Sequence, residues 1–457
     1  MPDLDLPPGF LLGAATAAYQ IEGAATEGGR TPSTWDEFTS RPGKILDGSD
    51  GSVATDHYHR FREDVALMKE LGLDVYRFSI SWTRLLRPDG TVNPEGAAFY
   101  NALIDELRAA GIAPMATLFH WDTPLELEQR GGWRRRATAK RFAQYARTCG
   151  ELFGDRVAYW VTINEACTVT LEGYGLDLHA PGLGSSFAIP IVAKNLLLAH
   201  GLAVRELRDL GVPGEVGITN VHTVSVPARP EDEHYADLFD FLHNRLYADP
   251  VLRGTNPAPP HGVGPLGAAL GILSRSSRRD RALMSQPLDF YGLNYYFPSR
   301  IAKGSPPAGT GNPDGVSEAM DAAPFHLTDW PEYPQTGFGW PIAPEYLGTV
   351  IENLEARYPG MPPILITEGG ASFADDGDAA GLDDQDRIEY LAAHIAVAAR
   401  YPQVRGYTVW SLLDNFEWAA GYTQRFGLIR VDYHTLERTP RASYHWLKRV
   451  LSSRRSV

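Results

Sequence analysis

Tyr159-Trp-Val-Thr-Ile-Asn-Glu165 is an apolar, β-branched run that ends on two polar side chains, and Ile364-Leu-Ile-Thr-Glu368 repeats the pattern far down the chain. A short, continuously apolar run reads as a strand buried on both faces, the kind that parallel sheets use. A carboxylate at the carboxyl end of such a strand is held away from bulk water, a position that suits chemistry better than solubility. Two carboxylates on equivalent strand ends are what cleavage of a glycosidic bond requires, one arriving protonated and the other ionised. At this point the sequence leaves open which is which.

Working outward from these two runs, six more of the same kind appear, giving strand expectations at 10–15, 75–80, 113–118, 159–163, 216–219, 289–294, 364–367 and 406–410. Between them lie amphipathic stretches at 56–71, 95–110, 138–153, 191–209, 345–357, 383–400 and 441–451. In the first, Asp56 is placed to cap, and Tyr58, Phe61, Val65, Met68 and Leu71 recur at helical spacing. Eight strand–helix units predict a single (β/α)8 TIM barrel spanning 1–457, with its active site at the carboxyl ends of the strands. The Gly- and Pro-rich stretches 253–286 and 301–344 read as long loops that build substrate walls on that face.

Composition narrows the partners. The chain has 457 residues, 44% hydrophobic and 21% charged, enough for a large core. Its net charge of −14 repels phosphate backbones and anionic lipid headgroups, so neither nucleic acid nor membrane is an expected partner. No uninterrupted apolar run approaches membrane-spanning length, and the acidic, Pro-rich start lacks a signal-peptide pattern, so the expected location is cytoplasmic. Cys149 and Cys167 offer neither a disulfide framework nor a metal site. His57, His59, His222 and His234 lack metal-ligand spacing and read as solvated or packing residues. No metal and no cofactor is implied.

Nine polar residues fall just past strand ends on one rim: Gln20, Arg77, His120, Asn164, Glu165, Asn294, Tyr296, Glu368 and Glu417. Any one could be structural, but their convergence points to a site. Trp121, Trp340, Trp410 and Trp418 share that face, and aromatic platforms suit the apolar faces of sugar rings.

Several motifs carry a resemblance. The segment Phe10-Leu-Leu-Gly-Ala-Ala-Thr-Ala-Ala-Tyr-Gln-Ile-Glu-Gly23, the run Tyr76-Arg-Phe-Ser-Ile-Ser-Trp82 and His120-Trp121-Asp122 are similar to glycoside hydrolase family 1, which includes many β-glucosidases. Thr162-Ile-Asn-Glu165, Gly292-Leu-Asn-Tyr-Tyr296, Ile366-Thr-Glu-Gly369, Trp410-Ser-Leu-Leu-Asp-Asn-Phe-Glu-Trp418 and Arg438-Thr-Pro-Arg-Ala-Ser-Tyr-His-Trp446 continue it in order along nearly the whole chain.

The resemblance implies a retaining β-glycosidase, first of all a β-glucosidase acting on a small β-glycoside or oligosaccharide. Glu165 is then the general acid/base and Glu368 the nucleophile, with carboxyl groups about 5–5.5 Å apart. Arg77 and Tyr296 would hold Glu368 ionised, and Asn164 would hydrogen-bond the sugar 2-hydroxyl. Gln20, His120, Trp121, Asn164, Asn294, Trp340, Trp410, Glu417 and Trp418 would bind substrate. Glu417 disfavours a 6-phosphorylated sugar, and a true carboxylate at Glu165 disfavours myrosinase chemistry.

Three positions depart from the family pattern: Ala166 and Pro341 where proline and glutamate are usual, and Gly369 where asparagine is usual. Ala166 would loosen the backbone that aims the acid, and Gly369 would widen the backbone angles beside the nucleophile. The alternatives are a transglycosylase using the same covalent intermediate, its acceptor site built from 170–190, 220–230 and 301–344, and a non-catalytic sugar-binding relative.

Overall fold

The computed structural model describes residues 2, 4–306, 323–375, 377 and 380–454. Eight strands close into a barrel: β1 (Leu11–Ala15), β2 (Val75–Ser79), β3 (Ala113–Thr117), β4 (Tyr159–Asn164), β5 (Glu215–Val221), β6 (Phe290–Asn294), β7 (Ile364–Gly369) and β8 (Val404–Trp410). Each pairs in parallel with its sequence neighbours, and β1 closes the ring by pairing with both β2 and β8. This is the (β/α)8 architecture that the alternation of apolar runs and amphipathic stretches predicts.

Amphipathic spacing drives the outer layer. The helix Arg136–Phe153 buries Ala139, Phe142, Ala143, Ala146, Cys149 and Phe153 at three- and four-residue intervals. The helix His57–Leu71 stops at Gly72, whose left-handed backbone lets its N–H reach the carbonyls of Met68 and Lys69. Asp56 does occupy the preceding cap position, but its own backbone is left-handed and its carboxylate makes no cap hydrogen bond. It binds the His59 ring instead, at 2.6 Å.

The main core lies between the strands and the helices, and the barrel interior is stratified. Val75, Met115, Val161, Phe290 and Leu365 plug the amino-terminal end. Above them comes a hydrogen-bonded layer in which Thr219 and Thr367 lie 3.1 Å apart and Thr408 donates to the Thr367 carbonyl at 2.6 Å. Because the plug closes one end, anything that reaches the interior comes from the carboxyl ends.

Three expectations need correction. The stretch 253–286 is neither irregular nor a substrate wall: it contains the helices Gly264–Leu273 and Arg278–Met284, which touch the helix Ile189–Asp209 outside the barrel. Part of 301–344 is ordered as Phe325–Thr328, paired with Ser299–Lys303 beside Ser225–Pro227; residues 307–322 lie outside the described ones. The helix that includes Ile189–Asp209 is long and apolar enough to cross a membrane, yet 72% of its apolar window is buried inside the protein. Among the described residues no cluster of potential metal ligands forms, and both cysteines are buried and free.

Candidate active site

At the carboxyl end of β4 the register against β5 shifts between Val161 and Asn164, and Glu165 then takes a left-handed backbone with φ of +48°. Bulges and positive φ at non-glycine residues recur beside functional sites, where they re-aim a side chain. The Glu165 N–H is held by the Thr219 carbonyl at 2.9 Å. On β7 a matching shift lies between Ile366 and Glu368. Both carboxyl groups line one cavity of about 170 Å³, together with His120, Trp121, Tyr296, Trp340, Trp410, Glu417 and Trp418.

The two acids have unlike neighbours. Glu368 forms a buried ion pair with the Arg77 guanidinium and accepts a hydrogen bond from Tyr296 Oη at 2.7 Å. Arg77 is itself fixed by Thr117 Oγ1 at 3.1 Å, the Thr367 carbonyl at 3.0 Å and Asn164 Oδ1 at 2.7 Å. Burial pushes the Glu368 carboxyl above its ordinary value, and the two donors work against that rise. Glu165 meets no cation: Asn294 Nδ2 donates to it at 2.5 Å and Thr168 Oγ1 at 2.7 Å. Burial and then the charge of Glu368 push Glu165 up to about 7. One carboxyl group is thus built to stay ionised and the other to carry a proton.

Around them, polar atoms await partners. His120 Nε2 takes a hydrogen bond from Asn164 Nδ2 at 3.2 Å, which places the ring proton on Nδ1. Burial holds that ring neutral, well below the usual histidine range. Gln20 Nε2 binds Asn415 Oδ1 and the Phe416 carbonyl, each at 2.9 Å. Among the described residues, His120 Nδ1, Gln20 Oε1 and Glu417 Oε2 are buried without a hydrogen-bond partner. Those of His120 and Glu417 lie on the cavity lining, where they suit ligand hydroxyls. Enclosure pushes Glu417 up to about 8.

Of the expected site residues, Arg77, Asn164, Asn294 and Gln20 sit beneath the cavity lining rather than in it. Asn294 spends its amide on Glu165 and on Asn164 Oδ1, so it positions the acid instead of facing substrate. Ala166 begins a short helical turn after Glu165, and the hydrogen bonds from Thr168 and Asn294 do the aiming that proline would have done. Gly369 adopts no positive φ; its lack of a side chain serves packing, because a Cβ there would lie 2.1 Å from Tyr407 Oη.

The sequence missed Thr168, His243, Phe297 and Phe426, which also line the cavity, and reached Glu172, His179, Val221 and Phe338 only as parts of the stretches 170–190, 220–230 and 301–344. Thr168 had a usable signal, one helical turn past the acid. His243 had none, since it arrives on the helical excursion after β5. A larger cavity of about 340 Å³, lined by His222, Asp240 and Arg357 among others, touches neither catalytic candidate.

Residues 3–456 match the description of glycosyl hydrolase family 1. Beta-glucosidase A of Acetivibrio thermocellus is 40% identical across 99% of each chain. The psychrophilic beta-glucosidase of Micrococcus antarcticus superposes with a TM-score of 0.90 at 42% identity, over 98% of this chain and 97% of that one. The beta-glucosidase of Thermotoga maritima, solved with deoxynojirimycin, gives 0.88 at 37% identity over 99% of both. Matched from end to end in sequence and in fold, with its two strand-end glutamates on one cavity, the chain belongs to glycosyl hydrolase family 1.

Proposed function

We propose that the protein is a retaining β-glycosidase, first of all a β-glucosidase, which hydrolyses small β-linked glycosides through a covalent glycosyl-enzyme on Glu368. The observation that carries this reading is the division of labour between two acids on one cavity. Glu368 is ion-paired with Arg77, while Glu165 has no cation among its hydrogen-bond partners and is pushed up to about 7 by burial and the charge of Glu368.

In the first step Glu368 attacks the anomeric carbon as Glu165 protonates the departing oxygen. Esterification removes the charge of Glu368, which is one cause of the raised proton affinity of Glu165. Glu165 then becomes acidic enough to serve as the base that activates water against the ester. His120 supplies a donor for sugar hydroxyls, and Glu417, pushed up to about 8, offers them a neutral carboxyl. The relatives' names support glucose as the glycone, and the inhibitor named in the Thermotoga maritima structure supports a sugar-sized ligand. Both carboxyl groups are retained, which argues against a non-catalytic binder.

Release of nitrophenol from a panel of aryl β-glycosides differing in the sugar tests the reading, with proton NMR identifying the first anomer. The β-glucoside should be cleaved and β-glucose should appear first. α-Glucose as the first product, or no cleavage across the panel, would overturn it.

A further inference from the structure

Net charge is a sum, and here it hides an uneven surface. The chain carries −14 overall, yet residues 130–141 hold six basic side chains and no acidic one, and 275–281 hold four against Asp280 alone. The fold joins the two stretches. Arg136 donates to Asp280 at 2.6 and 2.9 Å, and Lys194 Nζ donates to the Arg275 carbonyl at 3.0 Å. Arg135, Arg275, Arg278 and Arg279 are exposed and meet no carboxylate among the described residues. Arg135 is also the N-cap of the helix Arg136–Phe153, the end where the macrodipole favours an anion, so its charge adds to that of the helix end instead of being relieved by it.

The same surface exposes apolar side chains. Phe187 is 82% exposed and Ile272 63%, and Ile191 and Leu273 are exposed as well. Phe187, Ile191 and Lys194 follow one another at helical spacing along the helix that includes Ile189–Asp209. The helix Gly264–Leu273, which ends on Ile272 and Leu273, touches it, and Arg275 comes two residues later. Apolar area left in water beside a basic cluster marks an interaction surface more often than scattered single residues do.

We propose that this face docks onto an anionic lipid bilayer, with its arginines on headgroup phosphates and Phe187, Ile191, Ile272 and Leu273 at the acyl boundary. The guanidinium fork matches phosphate oxygens bidentately. Basic side chains around apolar ones are what an interfacial segment presents to acidic headgroups. At physiological ionic strength, exposed charges more than roughly 8–10 Å away are largely screened, so the headgroups meet the local sign rather than the sum. A net charge of −14 therefore does not exclude a membrane at this face. A second copy of the chain fits less well, because in a twofold contact the patch meets itself and sets unpaired arginines against arginines.

Cosedimentation of the full chain with vesicles at physiological ionic strength tests the proposal. The protein should pellet with an equal mixture of phosphatidylcholine and phosphatidylglycerol and stay in solution with phosphatidylcholine alone. Arg278→Gln and Arg279→Gln together should lower the partition coefficient by on the order of tenfold. Ile272→Ser should lower it severalfold, and neither change should move Tm beyond what an ordinary surface substitution does. No binding to the mixed vesicles, equal binding to both kinds, or binding that these substitutions leave intact would overturn the proposal. So would self-association in analytical ultracentrifugation that Ile272→Ser abolishes while vesicles are ignored, since the face would then belong to a second copy. The comparison of the two vesicle types needs only the wild-type chain, so it decides the matter even if a variant folds poorly.

Discussion

At Glu368 a carboxylate faces a guanidinium and a phenol, whereas at Glu165 it faces an amide and a hydroxyl. The pH dependence of kcat/KM follows with its signs fixed. With the roles proposed above, activity needs Glu368 ionised and should fall as pH drops toward that group's raised value; it needs Glu165 protonated and should fall as pH rises through about 7. Glu165→Gln should abolish the alkaline limb and leave the acid one. Glu165→Ala should slow alkyl glucosides by several powers of ten more than dinitrophenyl glucosides, whose leaving groups need no proton; equal slowing would contradict the acid role. Glu368→Gly should be inactive alone, and azide should restore turnover with an α-glucosyl azide as product, whereas normal hydrolysis without azide would remove Glu368 from the mechanism. These two residues were legible because each ends an apolar run. Thr168 and Glu172 were less so, because one polar residue in a helical turn looks like any other until the turn is placed over the cavity.

Among the elements, the strands were easier to read than what joins them. A strand buried on both faces writes an unbroken apolar run, as β4 and β7 do. The helices in 253–286 were hidden by glycines that act in packing: a Cβ at Gly267 would meet the Pro260 carbonyl at 2.9 Å, and one at Gly271 would meet Pro259 at 2.8 Å. The same physics governs the strand of the nucleophile. At Gly370 a Cβ would lie 1.7 Å from the Trp410 carbonyl, a backbone atom that cannot step aside without parting β7 from β8. Gly370→Ala should therefore lower both Tm and kcat sharply, at a cost of about 1–3 kcal/mol or more. Gly369→Ala meets the end of the Tyr407 side chain instead, so it should cost less. Adding Tyr407→Phe should recover part of that loss, because the ring carbon behind the hydroxyl still lies 2.7 Å away. Simple additivity of the two substitutions in thermal unfolding would contradict the assigned contact.

For the whole molecule, closure is what brings distant residues into one site. β1 lies between β2 and β8, and Arg438 near the end of the chain reaches Asp64 in the first helix of the barrel wall at 2.8 Å, with His57 on the other side of that carboxylate at 2.7 Å. Burial raises the Asp64 carboxyl, but His57 and Arg438 outweigh it and hold it below the ordinary range. The stability from this group is present above its unfolded pKa and is lost as pH falls through the lowered folded value. Arg438→Met leaves the charge buried without its guanidinium and should cost about 3–5 kcal/mol in denaturant unfolding at neutral pH. A loss within about 0.5 kcal/mol, the range of an ordinary surface substitution, would contradict the structural weight given to this pair. The eight-fold alternation made the barrel legible from sequence, yet Gly and Pro content alone did not separate 301–344, which lines the cavity through Phe338 and Trp340, from 253–286, which does not. In the proposed reaction β4 and β7 present one proton donor and one nucleophile to the same sugar. Treatment with an activated 2-deoxy-2-fluoro-β-D-glucoside, followed by peptide mass spectrometry, tests that directly. A single fluorodeoxyglucosyl unit on the peptide that holds Glu368, formed as activity is lost, is the predicted result; a label on another residue, or turnover without any trapped ester, would contradict it.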